Sequence, residues 1–262
     1  MQNIEQLLAI MARLRDPQTG CDWDKKQHFA SIVPHTLEEA HEVAEAIEQR
    51  DWVGLKDELG DLLFQVIFYA QLGKEAGYFD FNDIVSGLND KLIRRHPHVF
   101  EHTQTLSESE LQAQWQAIKD QEHAAKSHHP TRFADDVSKA LPALSYAQKV
   151  QRRAAGLGFD WPSYHGALDK VAEEVEEVRE ALAHDPNSAH SGEELGDLLF
   201  ATVNVARHGN HDAEQLLRQA SRKFIQRFRQ VEGVLGEQNK RLADANLAEM
   251  DAAWEEVKRR SR

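Results

Sequence analysis

Two stretches of this chain carry the same acidic template. Glu38-Glu39-x-x-Glu42 is followed after a break by Glu58-x-x-Asp61. Glu173-Glu174-x-x-Glu177 is followed after a break by Glu194-x-x-Asp197. The second halves read DELGDLLF and EELGDLLF. Residues three apart on a helix lie about 5–6 Å apart at Cβ, so each acid pair faces one way. Two antiparallel helices joined by a short turn set one pair against the other. Carboxylates gathered in such a gap repel unless they are protonated or neutralised by a cation. The second pair of the later stretch also sits in an apolar run, Leu195, Leu198, Leu199 and Phe200, where an unpaired acid is costly to bury. Each stretch is therefore read as a helix, a turn and a helix enclosing four acids.

The rest of the chain repeats around these stretches. Trp23, Glu39, Asp61, Lys91, Arg95 and Trp115 recur in the same order as Trp161, Glu174, Asp197, Lys223, Arg227 and Trp254. A single motif recurs cheaply by chance, but six landmarks in register indicate a duplication. Apolar spacing predicts helices over about 2–15, 36–50, 54–75, 82–95 and 107–125, then 140–155, 164–184, 191–208, 212–235 and 246–260. Leu55, Leu59, Leu62, Leu63, Val66, Ile67 and Ala70 form the expected buried stripe of the third of these. Periodicity fails around Pro130, so 126–136 is read as a linker between domains 1–125 and 137–262. The fold class is all-α, a tandem repeat of two helical bundle domains.

Composition narrows the function. The 262 residues suit one large domain or two smaller ones. A formal net charge of −13 argues against nucleic acid as a partner, because such binding runs on basic surface. No apolar run reaches the length of a membrane span. The first residues lack the basic start and apolar block of a signal peptide. Cys21 is the single cysteine, which excludes an intrachain disulfide. These features point to the cytoplasm.

The acids are hard oxygen ligands of the kind that suit Mg²⁺, with Mn²⁺ as a substitute. Lys223 and Arg227, four apart on a helix, point together as a basic clamp for phosphate, and Lys91 and Arg95 do the same. Trp254 and Lys258 form another such pair, matched by Trp115 and Lys119, suited either to a base and a phosphate or to the core. Trp23 and Trp161 either line a base pocket or seal a helix junction. His96, His98, His128 and His129 have no counterpart in the other repeat and no cysteine support, so they are read as surface or helix-end histidines. No phosphate-binding Gly-x4-Gly-Lys-Ser/Thr loop and no completed dinucleotide fingerprint occurs.

With its Glu-x-x-Glu and Glu-x-x-Asp pairs, its ELGDLLF helix and its GFDW and RRHPHVF segments, the sequence resembles the two-repeat MazG-type nucleoside triphosphate pyrophosphohydrolases of the all-α superfamily. The resemblance spans essentially the whole chain. It implies hydrolysis of nucleoside and deoxynucleoside triphosphates to monophosphate and pyrophosphate with Mg²⁺, in a homodimer. It implies metal ligands at Glu174, Glu177, Glu194 and Asp197, and at Glu39, Glu42, Glu58 and Asp61 in the first repeat. It matches Lys223 and Arg227 to phosphate contacts, and Trp254 and Lys258 to the nucleotide side. Lys170 and Glu173 fall where nucleotide contacts or a supporting acid are expected. The second repeat is favoured as the catalytic one, with Glu173, Glu174, Glu177, Glu194, Asp197, Lys223 and Arg227 in the reaction.

Two other readings compete. A di-iron carboxylate bundle uses Glu-x-x-His on paired helices. Glu38-x-x-His41 fits it once, but the second repeat has Glu173-x-x-Glu176. A non-catalytic helical scaffold binding a protein partner is compatible with the acidic surface.

Overall fold

The computed structural model describes residues 2–101, 106–126 and 132–260. Lys119 lies in a described helix, but its side chain falls outside the described residues, as do His128 and His129. Every regular element among the described residues is helical. The chain forms two compact units, Met1–Glu122 and His123–Arg262.

The first unit contains α1 (Gln2–Leu14), α2 (Phe29–Gln49), α3 (Trp52–Ala76), α4 (Phe81–Arg95), α5 (Pro97–Phe100) and most of α6 (Glu108–Lys126). α2 and α3 form its most extensive pair. Their link is two residues long. Arg50 adopts the left-handed conformation that ends α2, and the Asp51 carboxylate accepts from the Val53 and Gly54 amides to start α3. α2 begins at Phe29, earlier than its periodicity predicts. His28 and Ser31 cap each other there, and Ile32 enters the core. These contacts outweigh Pro34, which removes one helical donor. Met11, Ile32, Ile67, Phe68 and Leu72 make the core, with Leu7, Leu8, Phe29, Phe64, Tyr69 and Phe81 packed around it. The Arg15 guanidinium donates to the Glu75 carboxylate and to the carbonyls of Asp24 and Gln27, closing α1 onto the end of α3.

The second unit contains α7 (Ala143–Ala155), α8 (Tyr164–His184), α9 (Ala189–His208), α10 (Ala213–Glu237) and α11 (Leu247–Arg260). α8 and α9 are its dominant pair, and α10 packs on α11 through Val231, Val234, Leu235, Ala253 and Val257. Two buried glutamines on α7 serve as polar ties. Gln148 donates to the His211 carbonyl and accepts from the Ala213 amide at the start of α10. Gln151 donates to the Phe200 carbonyl on α9.

The expected buried stripe of α3 is only partly buried. Ile67 and Ala70 are enclosed, whereas Leu59, Leu63 and Val66 are exposed. On α9, Leu195, Leu199 (60% exposed) and Phe200 are likewise uncovered. Each acid-bearing helix is apolar over a wider arc than its own unit covers.

Candidate active site

In the second unit, α8 brings Glu174 and α9 brings Glu194 and Asp197 to one place. One carboxylate oxygen from each lies within 4.8 Å of the other two. The first unit does the same with Glu39 on α2 and Glu58 and Asp61 on α3. Glu177 and Glu42 are one helical turn on, exposed, and outside these trios. They still feel them. Loss of hydration, followed by Glu174, Glu173 and Glu194, raises the Glu177 carboxyl above its ordinary range against the pull of Lys170. Glu42 acts on Glu58 by charge and by a hydrogen bond.

Glu174 is the most enclosed of the acids, at 4% exposure. Lys170, one turn earlier, reaches its Oε1 at 2.8 Å and Glu173 Oε1 at 2.7 Å. These two hydrogen bonds, Glu173 first, raise the lysine pKa. The other oxygen, Glu174 Oε2, is buried and has no hydrogen-bond partner. A buried carboxylate oxygen left unpartnered beside two further acids is a donor set that fits a hard divalent cation. His190 Nδ1 lies 3.4 Å from Glu194 Oε1. The sequence reading missed His190, although its place four residues before Glu194 was signal enough.

The first unit is built differently around the same trio. The position matching Lys170 is His35, which faces Glu38 at 3.7 Å and the Trp23 ring at 5.9 Å. Loss of hydration, then Asp61, Glu42, Glu58 and Glu38, raises the Glu39 carboxyl. Desolvation, then Glu42 and Asp61, raises Glu58.

Both loop tryptophans stand beside the opening turns of an acid-bearing helix. A Cβ added at Gly166 would lie 2.3 Å from the Trp161 ring, so the indole rests directly on α8. Asp160 fixes this loop by accepting from Arg207 and pairing with His208 at the end of α9.

The predicted basic pair is less engaged. Lys223 and Arg227 lie on α10, and among the described residues neither makes an ion pair or hydrogen bond with the acids. Trp254 packs against Phe224, the neighbour of Lys223, at 5.4 Å between ring centroids. Lys258 is paired with Glu255 at 2.6 Å.

Of the pair that matches them in the first unit, Lys91 and Arg95, the arginine is strongly engaged. Arg95 and Arg94 both donate to the Glu122 carboxylate on α6, and the Arg95 guanidinium lies 5.2 Å from the Trp115 ring centroid. Arg95 first, then Arg94, holds the Glu122 carboxyl down at about 2. A depressed carboxyl stabilises the fold above its unfolded value and loses that contribution as pH falls through the folded one. Acid titration of wild type and Glu122→Gln is therefore expected to show the wild-type advantage at neutral pH fading between ordinary carboxylate values and about pH 2. Parallel acid-unfolding curves for the two chains would rule this out.

The MazG nucleotide pyrophosphohydrolase domain model matches residues 27–100 and again 163–232. The nucleoside triphosphate pyrophosphohydrolase of Escherichia coli K12 is 50% identical over 260 residues, covering 99% of this chain and 98% of that protein. The nucleoside triphosphate pyrophosphohydrolase/pyrophosphatase MazG of Thermotoga maritima is 41% identical over 254 residues, covering 97% and 95%. A crystal structure of a mazG-related protein from Thermotoga maritima, 27% identical, covers 44% of this chain and 98% of its own, with a TM-score of 0.39. No described helix is long and apolar enough to cross a membrane. The duplicated acid-bearing helix pairs, the two domain matches and the near-full-length relatives give one conclusion: this all-helical chain is a hydrolase of the MazG nucleotide pyrophosphohydrolase family, with the domain present twice.

Proposed function

We propose that the second unit hydrolyses nucleoside and deoxynucleoside triphosphates to the monophosphate and pyrophosphate, with Mg²⁺ held by Glu174, Glu177, Glu194 and Asp197. The observation that carries this is the convergence of Glu174, Glu194 and Asp197 within 4.8 Å, with Glu174 Oε2 buried and unpartnered. A divalent ion held by these acids would supply Lewis acidity and lower the pKa of a bound water. Water attacks the α-phosphorus, the bond to the bridging α–β oxygen breaks, and pyrophosphate departs. Lys170, bonded to Glu173 and Glu174, keeps that corner of the site ionised and oriented. Lys223 and Arg227 offset the charge on the departing pyrophosphate. Trp254 offers a face for the base, with Lys258 beside it. Glu39, Glu42, Glu58 and Asp61 form the equivalent metal site of the first unit. The exposed Leu195, Leu199 and Phe200 support a homodimer, since a second copy would cover that face. The boundaries proposed for the two domains are 1–125 and 137–262.

Product analysis tests the reaction. Incubation with a panel of NTPs and dNTPs and Mg²⁺ is expected to yield monophosphate and pyrophosphate in equal amounts. Diphosphate and inorganic phosphate as products would overturn the reading.

Metal binding has its own signature in stability. Glu39, Glu58 and Glu177 have raised carboxyls. Each favours folding below the ordinary carboxylate value, and that contribution is lost as pH rises through the raised value. Bound Mg²⁺ would relieve the repulsion that remains at neutral pH. At 100 times its dissociation constant a ligand stabilises by about 2.7 kcal/mol. Melting temperature is thus expected to rise with Mg²⁺ at pH 7 and to respond weakly where the acids are protonated. No Mg²⁺ effect at pH 7 would favour the scaffold reading.

A further inference from the structure

Arg95 and Trp115 recur in the second repeat as Arg227 and Trp254, but among the described residues only Arg95 is paired with a carboxylate; its neighbour Arg94 falls on Gln226 in the second repeat. In the first unit the Glu122 carboxylate lies across both arginines. Arg95 approaches it through Nη2 at 2.5 Å and Nε at 3.2 Å, and Arg94 through Nη2 at 2.5 Å and Nε at 2.9 Å. The Glu122 side chain is only 13% exposed. Arg95 lies over Trp115, and His96 packs on the same indole at 5.4 Å. A carboxylate held by both arms of a guanidinium occupies the positions that two phosphate oxygens would take. Among the described residues of the second unit, no carboxylate pairs with Lys223 or Arg227. Glu122 stands seven residues after Trp115, and the seventh residue after Trp254 is Ser261. Of the acids that follow Trp254, Glu255 pairs with Lys258 and Glu256 with Arg259 and Arg260. Lys223 and Arg227 make no ion pair among the described residues, and Trp254 meets Phe224 rather than a cation.

We propose that Arg94 and Arg95, backed by Trp115, form a phosphate-oxyanion site in the first unit that Glu122 fills from within the chain. The proposal rests on the nucleotide reading above and assigns the two units different work. The first unit holds a divalent ion at Glu39, Glu58 and Asp61 but excludes the triphosphate. The second unit receives the triphosphate. Competition explains the asymmetry. A carboxylate on the same chain acts at a high effective concentration, of the order of millimolar or more. An incoming phosphate must displace it before it can bind. As a carboxylate, Glu122 is ionised across the physiological range, and its charge is held directly against both guanidinium groups.

The test uses full-length chains bearing Lys223→Ala and Arg227→Ala, which removes the second unit's basic pair. These chains, with and without Glu122→Gln, are titrated calorimetrically with inorganic tripolyphosphate in the presence of Mg²⁺. Removing an intramolecular competitor of this strength is expected to tighten tripolyphosphate binding by about tenfold or more. Adding Arg95→Ala is expected to erase the gain. Unchanged affinity in a Glu122→Gln chain of wild-type helical content makes Glu122 a tether for α6 and overturns the proposal. If the Gln chain loses helical content, Glu122→Asp gives the same reading, since it keeps the charge and withdraws it by one methylene. A gain there supports the competitor, and no gain sinks it. Hydrolysis by the wild-type chain is assayed in parallel. Its absence rejects the nucleotide reading of the second unit, whereas intact hydrolysis with unchanged tripolyphosphate affinity rejects only the role of Glu122.

Discussion

Asp197→Ala is expected to reduce nucleoside triphosphate hydrolysis on the order of 1000-fold while leaving the helical content unchanged. The size follows from the several kcal/mol of transition-state charge stabilisation that a bound metal supplies, at about 1.4 kcal/mol per factor of ten. The selectivity follows from the structure. Asp197 is exposed on α9, and its contribution is to the acid trio rather than to the core, so removing it takes nothing from packing. Asp61→Ala makes the same change in the first unit. With Glu122 across the arginines there, that variant is expected to keep a rate near wild type. Steady-state assays with pyrophosphate release, alongside far-ultraviolet circular dichroism, distinguish the outcomes. Full activity in both variants would reject both acid trios as reaction centres.

Phe68→Ala is expected to destabilise the first unit by about 4 kcal/mol. Phe68 is at 0% exposure and is the largest fully buried side chain in the protein's described residues. It lies in the cluster of Met11, Ile32, Ile67 and Leu72, with the Phe64 ring edge-on at 5.8 Å and the Arg15 guanidinium 5.4 Å away. α1, α2 and α3 all meet there, so no single helix can move to fill the space left behind. Chemical denaturation should show the loss, and the melting transition of that unit should fall by roughly 15 °C. A loss under about 1 kcal/mol would mean that the cluster does not hold the three helices together.

Much of this architecture was legible before any coordinates. Periodicity located the helices, because burial along a helix repeats every 3.6 residues and that signal is local. It erred at the start of α2. There the cap is made by His28 and Ser31, and a histidine cap followed by Pro34 does not read as a helix start. The exposed Leu59, Leu63 and Val66 mark another limit. Apolar character says that a face seeks cover, not that its own unit supplies it.

The candidate site divides the same way. Acids three apart on one helix must share a face, so the sequence alone determined that Glu194 and Asp197 point the same way, and Glu58 with Asp61. It also determined the duplication, a single cysteine that leaves no intrachain disulfide, and a formal net charge of −13. Only the tertiary structure decided that Glu174 is enclosed while Glu177 is exposed, that Lys170 is bound to Glu174, and that Arg95 is paired with Glu122 while Arg227 makes no ion pair among the described residues. The reason is physical. Spacing along one helix fixes direction within that helix, but a contact such as Arg95 with Glu122 depends on how two helices rotate and cross, and packing energy sets that rotation rather than any local pattern in the chain.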